Sequence, residues 1–163
     1  MADSFRNIPV VYDNVLVFGV SRKLRGTDKD LIILCANLPP MGNPAYILRD
    51  HNTGIDMLER CMLDIFETET DAYVTITGDF NARGSSENAI HFQSEGGDTA
   101  EVSFMRLWDD KVTNAFGTMF LDFCCACYCS ILNGLVDFDC DGSYTFITQN
   151  SSNVVDYFGL SND

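Results

Sequence analysis

Beyond Lys111 the sequence has no Lys or Arg, while Asp122, Asp137, Asp139, Asp141, Asp156 and Asp163 all follow it. Over the whole chain 10 Lys and Arg face 24 Asp and Glu, a formal net charge of -14. A phosphate backbone is gripped mainly by cations that release its condensed counterions, so this surface repels nucleic acid at long range. The residues left to touch a phosphate are few: Arg22, Lys23, Arg25, Lys29, Arg83 and Arg106. No apolar run approaches the roughly 20 residues of a membrane span, and Met1-Ala-Asp-Ser-Phe-Arg6 lacks an apolar signal region. An intracellular protein, nuclear or cytoplasmic, is expected. The seven cysteines, at 35, 61, 124, 125, 127, 129 and 140, are odd in number and mostly set in apolar sequence. They read as reduced thiols rather than a disulfide framework.

What is present fits one domain, residues 1–163, with a sizeable core: 46% of the chain is hydrophobic and 21% charged. Val15 to Val20 and Leu31 to Ala36 are β-branched and aliphatic runs separated by the turn-forming, charged stretch Arg22 to Asp30, which predicts a strand hairpin. Pro39-Pro40 and Pro44 stop its second strand. Ile55, Leu58, Met62, Ile65 and Phe66 recur at helical steps between Asp56, Glu59, Arg60 and Asp64, the pattern of an amphipathic helix lying on a sheet. Ala72 to Thr77 is a short strand, with Gly78 opening a loop at its carboxyl end. The polar, glycine-bearing stretch from Gly84 to Thr99 reads as a long loop. Asn114 caps a helix through about Ala126, and Cys129 to Leu132, Tyr144 to Thr148 and Val154 to Phe158 read as three more strands. Alternating strands and helices without internal repeats predict a layered α/β domain.

Gly78-Asp79-Phe80-Asn81-Ala82-Arg83 directly follows a predicted strand. A carboxylate and a carboxamide two residues apart emerge there together, a pairing suited to phosphodiester hydrolysis. An aspartate can orient or deprotonate an attacking water, and a neutral amide can donate to a phosphoryl oxygen without repelling it. The same residues also read as an ordinary loop start, with Asp and Asn bonding nearby backbone amides.

Other stretches carry a family resemblance across roughly residues 10 to 163. Gly26 to Leu34 followed by Ala36-Asn37-Leu38-Pro39-Pro40, the Ile76 to Arg83 motif, Asn114-Ala-Phe-Gly117 through Leu121, Cys129-Ser-Ile-Leu-Asn-Gly134, Gly142-Ser-Tyr-Thr-Phe-Ile147 and Asn153-Val-Val-Asp-Tyr-Phe158 occur in the order found in the endonuclease/exonuclease/phosphatase superfamily. The sequence resembles in particular the apurinic-type endonuclease domain of non-LTR, LINE-like retrotransposons. The resemblance implies a four-layer α/β sandwich, two packed mixed sheets flanked by helices, here incomplete. It implies Mg²⁺-assisted hydrolysis of DNA, with Asp79 activating water, Asn81 contacting phosphate and Asp156 orienting a catalytic histidine. Thr145 and Asn153 would lie near the DNA backbone, and Asn37 stands where the family has a tyrosine.

The pattern also departs from the family. The glutamate that binds metal there would precede residue 1, and the closing Ser-Asp-His has no counterpart in Ser161-Asn162-Asp163. His51 and His91, the only histidines, lie elsewhere in the pattern and are given no role. Losing metal ligand and histidine together removes several powers of ten in rate. Weak or absent turnover is expected, along with unpaired strands that a protein partner would cover. A non-catalytic acidic interaction module reusing the scaffold is the alternative. Two further patterns compete for attention. Asp137-x-Asp139-x-Asp141-Gly142 imitates a calcium loop but has Thr148 at the twelfth position, so it reads as a turn between strands. Cys124, Cys125, Cys127 and Cys129 include a Cys-x-x-Cys spacing without a second pair, better read as small core hydrophobes than as a metal grip.

Overall fold

The computed structural model describes residues 4–10, 12–47, 53–85, 89–93, 99–103, 109–135, 139 and 141–161, with the backbone alone for 47, 89–93 and 99–103. Along the chain these form β1 (Phe5–Ile8), β2 (Val15–Val20), α1 (Arg22–Arg25), β3 (Asp30–Asn37), α2 (Pro44–Ile47), α3 (Gly54–Thr68) and β4 (Ala72–Asp79). There follow β5 (Ala89–Gln93), β6 (Thr99–Ser103), α4 (Ala115–Ala126), β7 (Cys129–Ile131), β8 (Phe146–Ile147), β9 (Ser152–Asn153) and β10 (Asp156–Ser161). A six-stranded sheet runs β1-β2-β3-β4-β10-β7, accompanied by the two-stranded sheets β5-β6 and β8-β9. The large sheet is mixed, since β3 and β4 are parallel while every other neighbouring pair is antiparallel. This is an α/β architecture, as expected.

Local chemistry accounts for the elements. The β2–β3 turn is the single helical turn α1, capped by the Ser21 hydroxyl accepting from Lys23 N and closed by Gly26 at φ 68°. Helix α3 starts with a reciprocal capping box between Thr53 and Asp56. It buries Ile55, Leu58, Met62 and Ile65, the face its spacing predicts. Helix α4 starts where the Asn114 side chain accepts from Gly117 N at 2.6 Å. These two helices and one pleat face of the sheet, carrying Val17, Ile32, Leu34, Val74, Ile76 and Tyr157, enclose the core. Full burial of such side chains stabilises by roughly 1.5–3 kcal/mol each. The alternate face is less covered: Leu16 is 56% and Phe158 43% exposed.

Four expectations need correction. Gly78 does not open a loop but lies within β4, with Asp79 as the last strand residue. Residues 84–99 are not all loop, because Ala89–Gln93 pairs antiparallel with Thr99–Ser103. The five-residue alternation there is hidden in glycine- and serine-rich surroundings. The last strand begins at Asp156, not Val154. The amides of Val154 and Val155 bond the Asp110 carboxylate and the Thr145 hydroxyl instead of a ladder partner. Of Tyr144 to Thr148 only Phe146–Ile147 is strand, because Thr148 turns back onto Ser151. Edge strand β1 had no clear sequence signal. Among the described residues no helix is long and apolar enough to cross a membrane.

Candidate functional site

The carboxyl ends of parallel strands β3 and β4 and the start of antiparallel β10 meet at one end of the sheet. Register puts Asn37 opposite Asp79 and Asp79 opposite Asp156. Directly paired residues share a pleat face with Cβ atoms roughly 4.5–5.5 Å apart, so the three side chains form a row across adjacent strands. The row ends the less covered face, whose next rank is Cys35, Thr77 and Phe158.

Gly78 permits the approach. Its φ is 127°, and a Cβ there would sit 2.0 Å from the Ala36 carbonyl oxygen. Beyond Asp79 the chain alternates between site and core. Phe80 and Ala82 are fully buried, Phe80 against Phe120 at a ring distance of 4.7 Å. Asn81 lies between them at φ 50°, a conformation asparagine tolerates better than most residues. Its amide N–H donates to Asp79 Oδ1 at 2.9 Å, and its side-chain Nδ2 donates to the Leu38 carbonyl at 2.8 Å. The loop-start reading therefore describes real bonds, without using up either side chain. Asp79 keeps a second oxygen, and the carboxamide keeps a second N–H.

Thr145 and Asn153 join the same edge. The Thr145 hydroxyl accepts from the amides of Val155 and Asp156, both at 3.1 Å, and Thr145 N donates to the Asn153 carbonyl at 3.1 Å. All six residues singled out from sequence, Asn37, Asp79, Asn81, Thr145, Asn153 and Asp156, thus occupy one end of the sheet. Partial burial pushes the Asp79 carboxyl above its usual range; the Asn81 amide pulls it down, and the negative charge of Asp156 adds to the rise.

Several supporting residues went unread in the sequence. Arg83, taken as a possible phosphate contact, instead makes a two-pronged ion pair with Asp110 at 2.8 and 2.5 Å. The buried Tyr157 hydroxyl donates to the Ala82 carbonyl and accepts from Gly84 N, each at 3.0 Å. Asn133 donates to the Asp156 carbonyl at 3.2 Å and accepts from Phe158 N at 2.8 Å, extending the ladder past β7. Asn133 and Tyr157 lie inside motifs already noted. Asp110 was one acid among many, with no signal of its own.

The competing patterns resolve differently. Asp139 accepts from Gly134 N and Ser143 N, both at 3.2 Å, as a turn residue does; Asp137 lies outside the described residues. Cys124, Cys127 and Cys129 are buried, but Cys125 is exposed, which corrects its reading as core. Among the described residues no three His, Cys, Asp or Glu converge as a metal cluster. Arg106 and His51 lie outside the described residues; His91 pairs with Glu101 across β5–β6.

Asp79 and Asp156 are hard oxygen donors of the kind magnesium prefers, but two carboxylates, one of them already accepting an amide, do not by themselves make a magnesium site.

The six-stranded mixed sheet with its helices and small satellite sheets is an α/β fold also seen in a solved structure. That structure is the endonuclease domain of TRAS1, a telomere-specific non-LTR retrotransposon, which the chain matches with a TM-score of 0.54 and 14% identity over 99% of its own length. The chain spans 57% of the length of that endonuclease-domain chain. At this identity the match shows the fold. No protein-family model matches the sequence, and no curated protein matches it.

Proposed function

We propose that this chain is a retrotransposon-derived endonuclease-type domain whose chemistry is phosphodiester hydrolysis of DNA, slow in this chain alone. One observation carries the reading: Asp79 and Asp156 face each other across adjacent strands with Asn37 beside them and Asn81 at the strand tip. In this reading Asp79 takes the proton from an attacking water through the oxygen Asn81 leaves free. Its raised proton affinity suits a base. The free N–H of the Asn81 carboxamide donates to a phosphoryl oxygen, and Asn37 and Thr145 border the backbone of the bound strand. Asp156, with no histidine placed beside it among the described residues, keeps the site anionic. Magnesium, which the resemblance implies, would neutralise charge on the phosphate, with Asp79 and Asp156 as two of the oxygen donors that would hold it and further ligands needed beside them. The whole of 1–163 acts as one partial domain, on DNA inside the nucleus or cytoplasm.

The test is a supercoiled-plasmid nicking assay with Mg²⁺. Slow nicking that falls by about 10²- to 10⁴-fold in Asp79→Ala is the expected result. Nicking at an unchanged rate in that variant, or none above background in the wild type, overturns the reading.

A second reading is a non-catalytic acidic interaction module. The net charge of -14 and the exposed apolar Leu16 and Phe158 beside the acidic row favour it. It predicts binding to a basic protein partner without a salt-dependent gel shift on DNA.

A further inference from the structure

Two like charges held opposite each other push their strands apart, so the Asp79–Asp156 end needs something to hold it together. The residues around it supply that. Asp110, which follows β6 and precedes α4 in the chain, has a side chain 1% exposed that receives Arg83 Nε at 2.8 Å and Nη2 at 2.5 Å. The same carboxylate accepts from Val112 N at 3.0 Å and Val154 N at 3.2 Å. Arg83 stands two residues after Asn81, and Val154 two residues before Asp156. One carboxylate therefore grips the chain on both sides of the site. Arg83 is fixed again through its backbone: Arg83 N donates to Asn114 Oδ1 at 3.2 Å, and Asn114 N donates to the Arg83 carbonyl at 3.0 Å. Gly117 completes the seat, since a Cβ there would stand 1.8 Å from that carbonyl oxygen.

A buried ion pair seldom stabilises a fold more than apolar side chains of the same volume would, and its best-attested use is fixing a register. Burial pushes the Asp110 carboxyl up, but Arg83 and the two amides outweigh this and hold it below the ordinary carboxylate range, charged and bonded at neutral pH.

We propose that Arg83 and Asp110 are positioning residues: a latch that sets the spacing between the Asp79–Asn81 strand tip and the start of the Asp156 strand. The proposal rests on the nuclease reading for its catalytic consequence, not for its geometry. Neither residue acts on substrate directly, and Arg83 is not the phosphate contact its sequence position suggests.

The experiment compares the full chain with Arg83→Met and Arg83→Lys by amide hydrogen exchange and by nicking kinetics. In Arg83→Met, the amides of Val154 and of Phe80, which donates to the Val155 carbonyl at 2.9 Å, are expected to exchange at least about tenfold faster, with those of Ile32 and Val74 unchanged. Displacing catalytic groups lowers turnover far more than binding, so kcat should fall about 100-fold with KM little changed. Arg83→Lys keeps the charge without the two-pronged geometry and should recover part of both effects. If Arg83→Met does not fold, the same local acceleration, smaller, is expected in Arg83→Lys. Exchange accelerated evenly through the sheet, or unchanged at Phe80 and Val154, overturns the latch. A wild type that does not nick DNA sinks the nuclease reading alone, and local acceleration at Phe80 and Val154 then still supports the latch.

Discussion

The two ends of the central sheet handle charge in opposite ways. At the amino-terminal end of β3, Arg22 pairs with Asp30 at 3.1 Å and Asp71 at 2.7 Å, and Arg6 grips Glu69 at 2.7 and 2.5 Å. Lys29 lies 5.3 Å from the centre of the Tyr73 ring. The Arg22 amide and guanidinium hold the Asp30 carboxyl below its usual range despite some desolvation. Seven residues along the same strand, roughly 23 Å away at the usual rise, Asn37, Asp79 and Asp156 share an edge where the motif's arginine is turned inward onto Asp110. At the first end Asp30, Asp71 and Glu69 each have a cation; at the second the acids face one another. Proteins relax local consistency of this kind mainly where a site needs it, and the cost is met by structure nearby.

The contrast breaks most sharply at glycine. Gly78→Ala is expected to cost more than about 4 kcal/mol, the range of exceptional point mutations, because its Cβ would stand 2.0 Å from the Ala36 carbonyl oxygen. Gly26→Ala at the other end also meets positive φ, 68°, but finds nothing within 4 Å. It should cost about 1–2 kcal/mol. Urea midpoints of the two variants check this, and equal losses would mean β3 and β4 can part freely at the site.

The next largest difference lies in the ion pairs. Asp110→Ala leaves Arg83 partly buried without its partner and should cost about 3–5 kcal/mol, whereas Glu69→Gln should cost no more than about 1 kcal/mol. The sign with pH follows from Asp110 being held below its ordinary range. Its contribution is complete above the unfolded carboxylate pKa and is lost as pH falls through the folded one. The gap between wild type and Asp110→Ala in thermal denaturation should therefore be widest at neutral pH and narrow in acid. A gap that widens in acid would show that the pair contributes nothing as an ion pair.

What could be read in advance separates along the same axis. Period sufficed for α3, since Ile55, Leu58, Met62 and Ile65 repeat on one face, and period with the Asn114 cap for α4; the Thr53 cap of α3 went unread. The β2–β3 hairpin followed from two aliphatic runs around a charged turn. That Asp79 and Asn81 emerge together at a strand tip was legible in their spacing, whereas Asn37, Thr145, Asn153 and Asp156 were singled out through the family resemblance alone. Long-range polar partners were not legible: the Arg83–Asp110 bond spans 27 residues and that of Tyr157 with Ala82 spans 75. Nothing local in Asp110 distinguishes it from the other acids. Strand ends failed for a related reason. Val154 and Val155 look like strand, but their amides go to side chains, and only the fold decides where an amide finds its acceptor.

The smallest expected effect concerns the acids of the site themselves. Burial and Asp156 raise the Asp79 carboxyl above its ordinary range, so the folded chain holds that proton more tightly than the unfolded one does. Stability is then greatest below the unfolded pKa and falls as pH rises through the folded one, because the folded chain binds more protons across that window. Asp79→Asn removes the charge while its side-chain oxygen can still accept from Asn81 N. At neutral pH the variant should be more stable than wild type by up to about 1 kcal/mol, the scale of a like-charged cross-strand pair. Below the carboxylate range the two should converge. Asp30→Asn at the opposite end should do the reverse, losing stability at neutral pH, because that carboxylate is held charged by Arg22. Urea denaturation of both variants at pH 7 and in acid reads the two signs directly. If Asp79→Asn destabilises the chain at neutral pH, the acids there are compensated after all, and the asymmetry between the two ends of the sheet is not one of charge.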